Sequence, residues 1–466
     1  MSKKTIEEVA KNIWDYAEIR FKEYKSMDEL AEYAQEAGFK VEKGIGGLET
    51  AFKAVYGEGK PVIAILGEYD ALQGLSQKAD VAEKTAGEQE NTGHGCGHHL
   101  LGAGALYGAE MVKEYLEKNN LKGTIIYYGC PAEEGGSGKT WMVKNGAFDG
   151  VDVALTWHPF PYNGVFSQTT LANYQVYFKF EGRGSHAAAS PQLGRSALDA
   201  VELMNVGVNY LREHVVQEAR FHYAVTNTGG VSPNVVQPEA EVLYLIRAPK
   251  LSQVEEIFHR ICNIARGAAL MTETKVTMTF DKGTSEYIGN KTIEKVMYKN
   301  LKKFENIEYT EEEKNYAEKF KNTLGENEIT SEFGWLSKAC GREWKNIKEM
   351  MLNDSIFKGN IPYNENLEFL LSGSTDVGDI SKKMPTGQIV TACYALGTPA
   401  HSWQMVAQGK SSIAMKGMKY AGQVLGQTAI DIFESPELLT EIKNEFEEEH
   451  GEYITPLKYE KKPIAL

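Results

Sequence analysis

The period of hydrophobic and polar positions changes several times along the chain, and those changes divide it. Over residues 5–36 apolar residues recur at helical spacing among charges, which predicts amphipathic helix. The run PVIAIL at 61–66 has no polar face and predicts a strand buried on both sides. GTIIYYG at 123–129 and VDVALT at 151–156 predict two more. Between the first two, residues 101–119 follow a helical period, with the small residues Gly102, Ala103, Gly104 and Ala105 in the first turns. Strands that alternate with helices predict an α/β fold, a mostly parallel sheet with helices on both faces.

Near Asn173 the pattern turns to two-residue alternation. YQVYFKFE at 174–181 predicts a half-buried strand, and 191–214 a long amphipathic helix. Residues 221–228 and 239–248 predict strands, 251–271 a second helix, and KVTMTF at 275–280 a closing strand. The order β-α-β-β-α-β belongs to a ferredoxin-like α+β sandwich. The chain is therefore expected to hold a larger domain in two parts, 1–172 and 288–466, with a smaller domain inserted at 173–287. Residues 288–370 are rich in Lys, Glu and Asn and predict exposed helices with loops. They carry no evident chemistry, and a pocket rim and a subunit contact are both open as their role. A strand at 388–396, the loop TPAHSW and helices complete the chain, without internal repeats.

Composition narrows the partners. A chain of 466 residues exceeds one ordinary core, in keeping with two domains. A net charge of −14 argues against nucleic acid or an anionic membrane as partner. No run reaches the roughly 18 apolar residues of a membrane span. The charged start MSKKTIEEVAKNIWDYAE lacks the apolar core of a signal peptide. Five scattered cysteines, an odd number, suit a reducing cytoplasm better than a disulfide framework.

The chemistry concentrates in GHGCGHHLL at 93–101. Cys96 and His98 are two residues apart among glycines that permit a sharp backbone path, and thiolate with imidazole suits a zinc-class metal. A flexible glycine loop with incidental histidines is the plain alternative. Position argues against it. Glu68 and Asp70 follow the 61–66 strand, Glu133 and Glu134 follow 123–129, His158 follows 151–156, and His401 follows 388–396. Open parallel sheets bind ligands beyond the carboxyl ends of their strands, so groups scattered from 68 to 401 can meet there. Cys96, His98, Glu134, His158 and His401 make five donors, enough for two ions bridged by the thiolate or by water. A helix starting near Leu100 would favour the Cys96 thiolate. Glu133 and Glu134 should diverge, one toward metal and the other toward a water whose proton it would move. Asp70 is expected to hold a ligating histidine by a hydrogen bond or to cap a loop. His94 and His99 rank lower as ligands, and His214, His222, His259 and His450 read as structural or solvated.

Eight ordered motifs resemble the aminoacylase/carboxypeptidase family of two-metal metallopeptidases, in its amidohydrolase branch. They are GEYDAL, GHGCGH, PAEEGGSGKTWMV, FDGVDVALTWHP, GRGSHAAASP, GGVSPNVVQPEA, GSTDVGD and GTPAHSWQ, spread from Gly67 to Gln404. The resemblance implies two divalent ions, zinc or manganese, held by Cys96, His98, Glu134, His158 and His401, with Glu133 as general base. It implies that the inserted domain is a lid that carries a homodimer contact, with His186 steadying the oxyanion of the partner's site. It implies Asn234 and Arg247 as anchors for a substrate carboxylate; Arg247 as a salt-bridged strand residue is the alternative. The chain departs from the family at His99, where relatives carry Asp or Asn. The expected reaction is cleavage of an N-acyl or N-aroyl amino acid with a free carboxylate, p-aminobenzoyl-glutamate-like substrates being favoured. The alternatives are a dipeptidase or general N-acyl amino acid deacylase, and a metal-binding subunit inactive without a second hydrolase chain. A nucleotide-dependent oxidoreductase is disfavoured because the glycines around Cys96 do not form GxGxxG after a strand.

Overall fold

In the computed structural model, which describes residues 4–89, 91–449 and 451–458, a seven-stranded sheet organises the larger domain. Its spatial order is Lys40–Lys43, Phe52–Glu58, Gly123–Cys130, Val62–Glu68, Val153–Phe160, Thr386–Ala392 and Gly164–Val165. The four inner strands run parallel, with hydrogen-bonded neighbours 123–130 and 62–68, 62–68 and 153–160, and 153–160 and 386–392. The outer pairings are antiparallel. The parallel core is the one the apolar runs predict. The two strands between residues 40 and 58 are an addition to the sequence reading. KVEK has no buried residue and sits at the sheet edge, where polarity is tolerated and the strand signal is weak.

Helices cover both faces. Ile6–Tyr16, Tyr24–Glu36, His98–Asn119, Lys291–Phe304 and Ser412–Glu434 share the largest apolar cluster on one face. Trp141, Met142, Ile380 and Met384 contribute to the cluster on the other. The long helices His98–Asn119 and Ser412–Glu434 touch backbone to backbone, and a Cβ on Gly422 would stand 2.7 Å from the Gly104 carbonyl oxygen. The small residues at 102–105 therefore serve close packing. The N-terminal segment is two helices, since Ala17 ends the first in a left-handed cap with φ 41°.

The inserted domain is a four-stranded antiparallel sheet in the order Arg220–Asn227, Glu239–Ala248, Ala172–Glu181 and Lys275–Thr284. Two helices, Ala197–Leu211 and Leu251–Thr272, pack on it around a separate apolar cluster. The helix expected over 191–214 is shorter because the Ser196 side chain caps it by accepting from Asp199 N–H.

Residues 288–370 depart most from expectation. Their helices are charged outside, yet Trp335, Leu336, Met351 and Phe357 are buried with Tyr162 in one cluster. Averaged over the segment, the Lys and Glu content hides that apolar face. Among the described residues no helix is long and apolar enough to cross a membrane.

Candidate metal centre and active site

The site forms at the carboxyl ends of the parallel strands. Val62–Glu68 ends in Glu68, with Asp70 two residues on. Gly123–Cys130 leads through Ala132, at φ 59°, into a single helical turn, Glu133–Gly136. His158 lies inside its strand, since Val153–Phe160 is longer than the sequence suggests. His401, at φ 56°, ends the turn after Thr386–Ala392, and its N–H donates to the Gly95 carbonyl at 2.7 Å. The helix behind Cys96 starts at His98, two residues earlier than expected, with Gly97 as its cap at φ 75°. A Cβ there would meet the Tyr394 hydroxyl oxygen at 2.2 Å, so only glycine lets the chain turn from the thiol into the helix.

Two triads of donors result. Cys96, His98 and His158 present ligand atoms within 4.8 Å of one another, and so do Cys96, Glu134 and His401. Cys96 belongs to both. Its Sγ is 3.4 Å from His158 Nε2, and His401 Nε2 is 3.4 Å from Glu134 Oε1. His98 Nδ1 is hydrogen-bonded to Asp70 Oδ1 at 2.9 Å, leaving Nε2 turned toward the cluster. His98 Nε2 and Glu134 Oε1 are buried without a well-directed hydrogen bond, their nearest charged partners being Glu68 Oε2 at 3.2 Å and His401 Nε2 at 3.4 Å. Buried polar atoms met only by such contacts are better completed by an ion, and the S, N and O donors suit a divalent cation. The residues present fit a metal pair.

Electrostatics agree. Burial and Glu134 oppose ionisation of Cys96, yet His158 and His401 beside it bring its thiol down to about 6. Burial likewise opposes ionisation of Glu134, but His401, His98 and Cys96 hold its carboxyl at about 2. Hydrogen bonds to Cys96 and Glu134 raise His401 to about 11. His98 is raised by Asp70 and Glu68 against the effect of burial. Protons on the imidazoles thus balance an anionic cluster that a cation would otherwise balance.

A third triad, Glu68, His98 and Glu133, also lies within 4.8 Å. Here the charge is already met. Lys139 Nζ is 2.5 Å from Glu68 Oε1 and 2.7 Å from Asp376 Oδ1, all three residues being buried. Burial first, then Glu68, Asp376 and Glu134, push the Glu133 carboxyl well above its ordinary range. A carboxyl in that setting takes a proton readily and keeps it until a stronger base arrives.

The turn carrying Glu133 and Glu134 is held from outside at four backbone atoms. Glu23 accepts from Ala132 N–H at 2.9 Å, and Asp70 Oδ2 from Glu134 N–H at 2.9 Å. Lys282 Nζ donates to the Glu134 carbonyl at 2.8 Å, and Arg20 Nη1 to the Gly135 carbonyl. Arg20 also pairs with Asp281 at 2.8 Å. Asp281 and Lys282 belong to the last strand of the inserted sheet, so that sheet is tied to the turn carrying Glu133 and Glu134. Sequence reasoning misses Arg20, Glu23, Lys139, Asp376, Asp281 and Lys282. Their partners are remote in sequence, and only the buried-strand context of Glu68 hinted that its charge needed one.

The remaining candidates divide. Arg247 is half-buried, donates to the Ser372 carbonyl at 3.3 Å and leaves its Nε buried without a partner; Glu133 lies within its electrostatic reach. Its expected alternative, a salt-bridged strand residue, has no ion pair among the described residues. His186 and Asn234 instead share an exposed corner of the inserted domain, where Ala187 N–H donates to the Asn234 carbonyl at 2.9 Å. Among the described residues His186 joins no donor group of its own chain. The His94 and His99 rings lie with centroids 4.8 Å apart, tilted 50° to each other, and are hydrogen-bonded to the Ile13 and Gly409 carbonyls. A Cβ on Gly409 would stand 2.8 Å from His99 Cε1, so that glycine leaves room for the imidazole. His214, His222 and His259 stand in the inserted domain outside the donor groups, and His450 lies outside the described residues.

A mostly parallel sheet, an inserted ferredoxin-like domain and paired donor triads at the strand ends define a class: the two-metal hydrolases of amide and peptide bonds. The chain belongs to peptidase family M20/M25/M40, whose model matches residues 64–404. It is 47% identical over 441 residues, 95% of this chain and 92% of the other, to a subunit of the p-aminobenzoyl-glutamate hydrolase of Escherichia coli. It is 26% identical to the Xaa-Arg dipeptidase of Mus musculus, covering 94% of this chain and 88% of that one. A crystal structure from Bacillus subtilis, described as a dinuclear metal binding peptidase of the M20 family, superposes with TM-score 0.53 at 14% identity. It covers 90% of this chain and 96% of that one. The chain is a hydrolase of this family.

Proposed function

We propose that the protein cleaves the amide bond between an aroyl or acyl group and an amino acid with a free carboxylate, p-aminobenzoyl-glutamate being the favoured type. The observation that carries this reading is the pair of donor triads sharing Cys96, with the Glu133 carboxyl beside them. Cys96, His98 and His158 would hold one ion, and Cys96, Glu134 and His401 the other, Cys96 being the donor the two sets share. A pair of divalent cations there supplies a polarised amide carbonyl and an acidified water. The thiolate favours zinc on grounds of softness, with manganese the other candidate. Glu133 takes the proton of the attacking water and returns it to the leaving nitrogen. Arg247, with its unpartnered Nε, receives the substrate carboxylate.

His186 and Asn234 act in a partner's site, which makes the working form a homodimer. Their exposure on the inserted domain supports this, as do the exposed apolar residues of that domain. Val206 and Tyr210 project from its first helix at 52% and 74% exposure, and Tyr223 and Val225 lie on its edge strand. His186 then steadies the oxyanion as the amide carbon becomes tetrahedral, and Asn234 supports the carboxylate. Five unpaired cysteines support a reducing compartment, the cytoplasm.

The test is turnover by the purified chain, loaded with zinc or manganese, on p-aminobenzoyl-glutamate, N-acetyl amino acids and dipeptides. Preference for the aroyl substrate supports the reading, and a preference for dipeptides replaces it. A second reading has one observation in its favour, that the 47% identical relative is named as one subunit of a hydrolase. Inactivity of the homogeneous chain with full metal content, relieved by a second hydrolase chain, would establish it.

A further inference from the structure

A cavity of about 160 Å³ opens beside the donor cluster, bounded by His158 on one side and by the 397–400 turn ahead of His401 on another. One wall is aromatic. His158 and Phe160 are two residues apart at the end of their strand, Tyr162 follows just beyond it, and the ring centroids are 5.4 Å and then 5.2 Å apart, edge to face. Trp335 continues the series 5.6 Å beyond Tyr162. Met351 and Met405 add apolar, adaptable surface. The roof comes from the segment 326–332, and it is seated closely. A Cβ on Gly397 would stand 3.0 Å from Ile329 Cγ1, at φ 82°, where only glycine is at ease. Two carboxylates line the rim, Glu328, which is exposed, and Glu332, which is half-buried and accepts from Trp335 Nε1–H.

Size, lining and position converge on one occupant. An apolar cavity of about 150 Å³ accommodates a benzene ring, so this one has room for a single ring. No residue of the inserted domain lines it, whereas Arg247, the group read above as the carboxylate anchor, belongs to that domain. The half of the amide without the carboxylate therefore faces the cavity. We propose that the cavity receives the acyl half of the substrate as one aromatic ring, and that Glu328 and Glu332 accept hydrogen bonds from an amino group on it. The segment 326–351 is then the specificity element of the enzyme. This rests on the amidohydrolase reading above and deepens it.

The experiment compares kcat/KM of the full-length, metal-loaded protein on p-aminobenzoyl-, benzoyl- and acetyl-glutamate, and measures p-aminobenzoate and benzoate binding by calorimetry. Ile329→Trp, which fills the cavity, should lower the aroyl-to-acetyl ratio about tenfold or more. Glu328→Ala with Glu332→Ala, which removes both acceptors, should lower p-aminobenzoyl-glutamate toward the benzoyl rate, a loss of about tenfold, and lower benzoyl by less. p-Aminobenzoate should bind the parent protein and bind Ile329→Trp more weakly. Equal effects of Ile329→Trp on all three substrates would overturn the assignment, as would a Glu pair whose loss instead impairs cleavage of an alanyl-arginine dipeptide. If no amide is cleaved, the amidohydrolase reading fails, and the calorimetry still decides the cavity. Should Ile329→Trp fail to fold, the Glu328→Ala and Glu332→Ala comparison decides it alone.

Discussion

Glu133 and Glu134 are neighbours in sequence and opposites in chemistry. The Glu134 carboxyl is held at about 2 by the imidazoles and thiol it faces, while burial and nearby carboxylates push Glu133 far up. On the proposed mechanism the first serves as an anionic donor and the second carries a proton. Glu133→Gln is expected to keep both ions by elemental analysis and to lower kcat by about 10²-fold or more. Cys96→Ser removes the one donor common to both triads, so it should reduce bound metal from two ions toward one or none. Full metal content in that variant would refute the shared-thiolate arrangement.

At the scale of elements, the turn carrying Glu133 and Glu134 is not free-standing. Side chains from the N-terminal segment, from the strand end at Asp70 and from the inserted sheet grip its backbone between Ala132 and Gly135. Arg20 touches both the turn and Asp281, so displacement of the inserted domain is transmitted to Glu133 and Glu134. Arg20→Ala leaves Asp281 buried without its cation, and a loss of about 3–5 kcal/mol in stability is expected on denaturant titration. Under folded conditions it should lower kcat more than it raises KM, with partial rescue by Arg20→Lys. The paired long helices make a simpler case. Gly422→Ala forces a methyl against the Gly104 carbonyl and should cost about 1–3 kcal/mol.

For the whole molecule, one buried carboxyl sets a pH dependence away from the site. Glu294 is buried between the 291–304 helix and the C-terminal segment, hydrogen-bonded by Tyr363 at 3.0 Å, and burial raises it to about 8. Its folded value lies above the unfolded one of 4.5, so the folded state retains a proton that the unfolded state releases. The associated stability is whole below about 4.5 and declines as pH rises toward 8. Glu294→Gln should therefore raise Tm at pH 8 relative to the parent and give little difference at pH 4.5. Assembly is testable at the same scale. Tyr210→Glu with Val225→Lys charges the exposed face of the inserted domain. On the proposed homodimer it should yield a monomer in sedimentation and depress turnover, because His186 and Asn234 would then be separated from the partner's site.

The sequence by itself determined the parallel sheet core, the inserted α+β unit and the list of candidate donors that the structure brings together. Those follow from periods of two and 3.6 residues, from buried apolar runs, and from a rule that places ligands at strand ends. Charge compensation was decided only by the tertiary structure. That Lys139 answers Glu68 and Asp376, that Arg20 answers Asp281, and that Cys96 is common to two triads depend on side chains far apart in the chain meeting in a medium of low dielectric. The same holds for the segment 326–351, whose polar average concealed an aromatic face. Local pattern reports which face of an element is buried, but what that face meets is set by the packing of the complete chain.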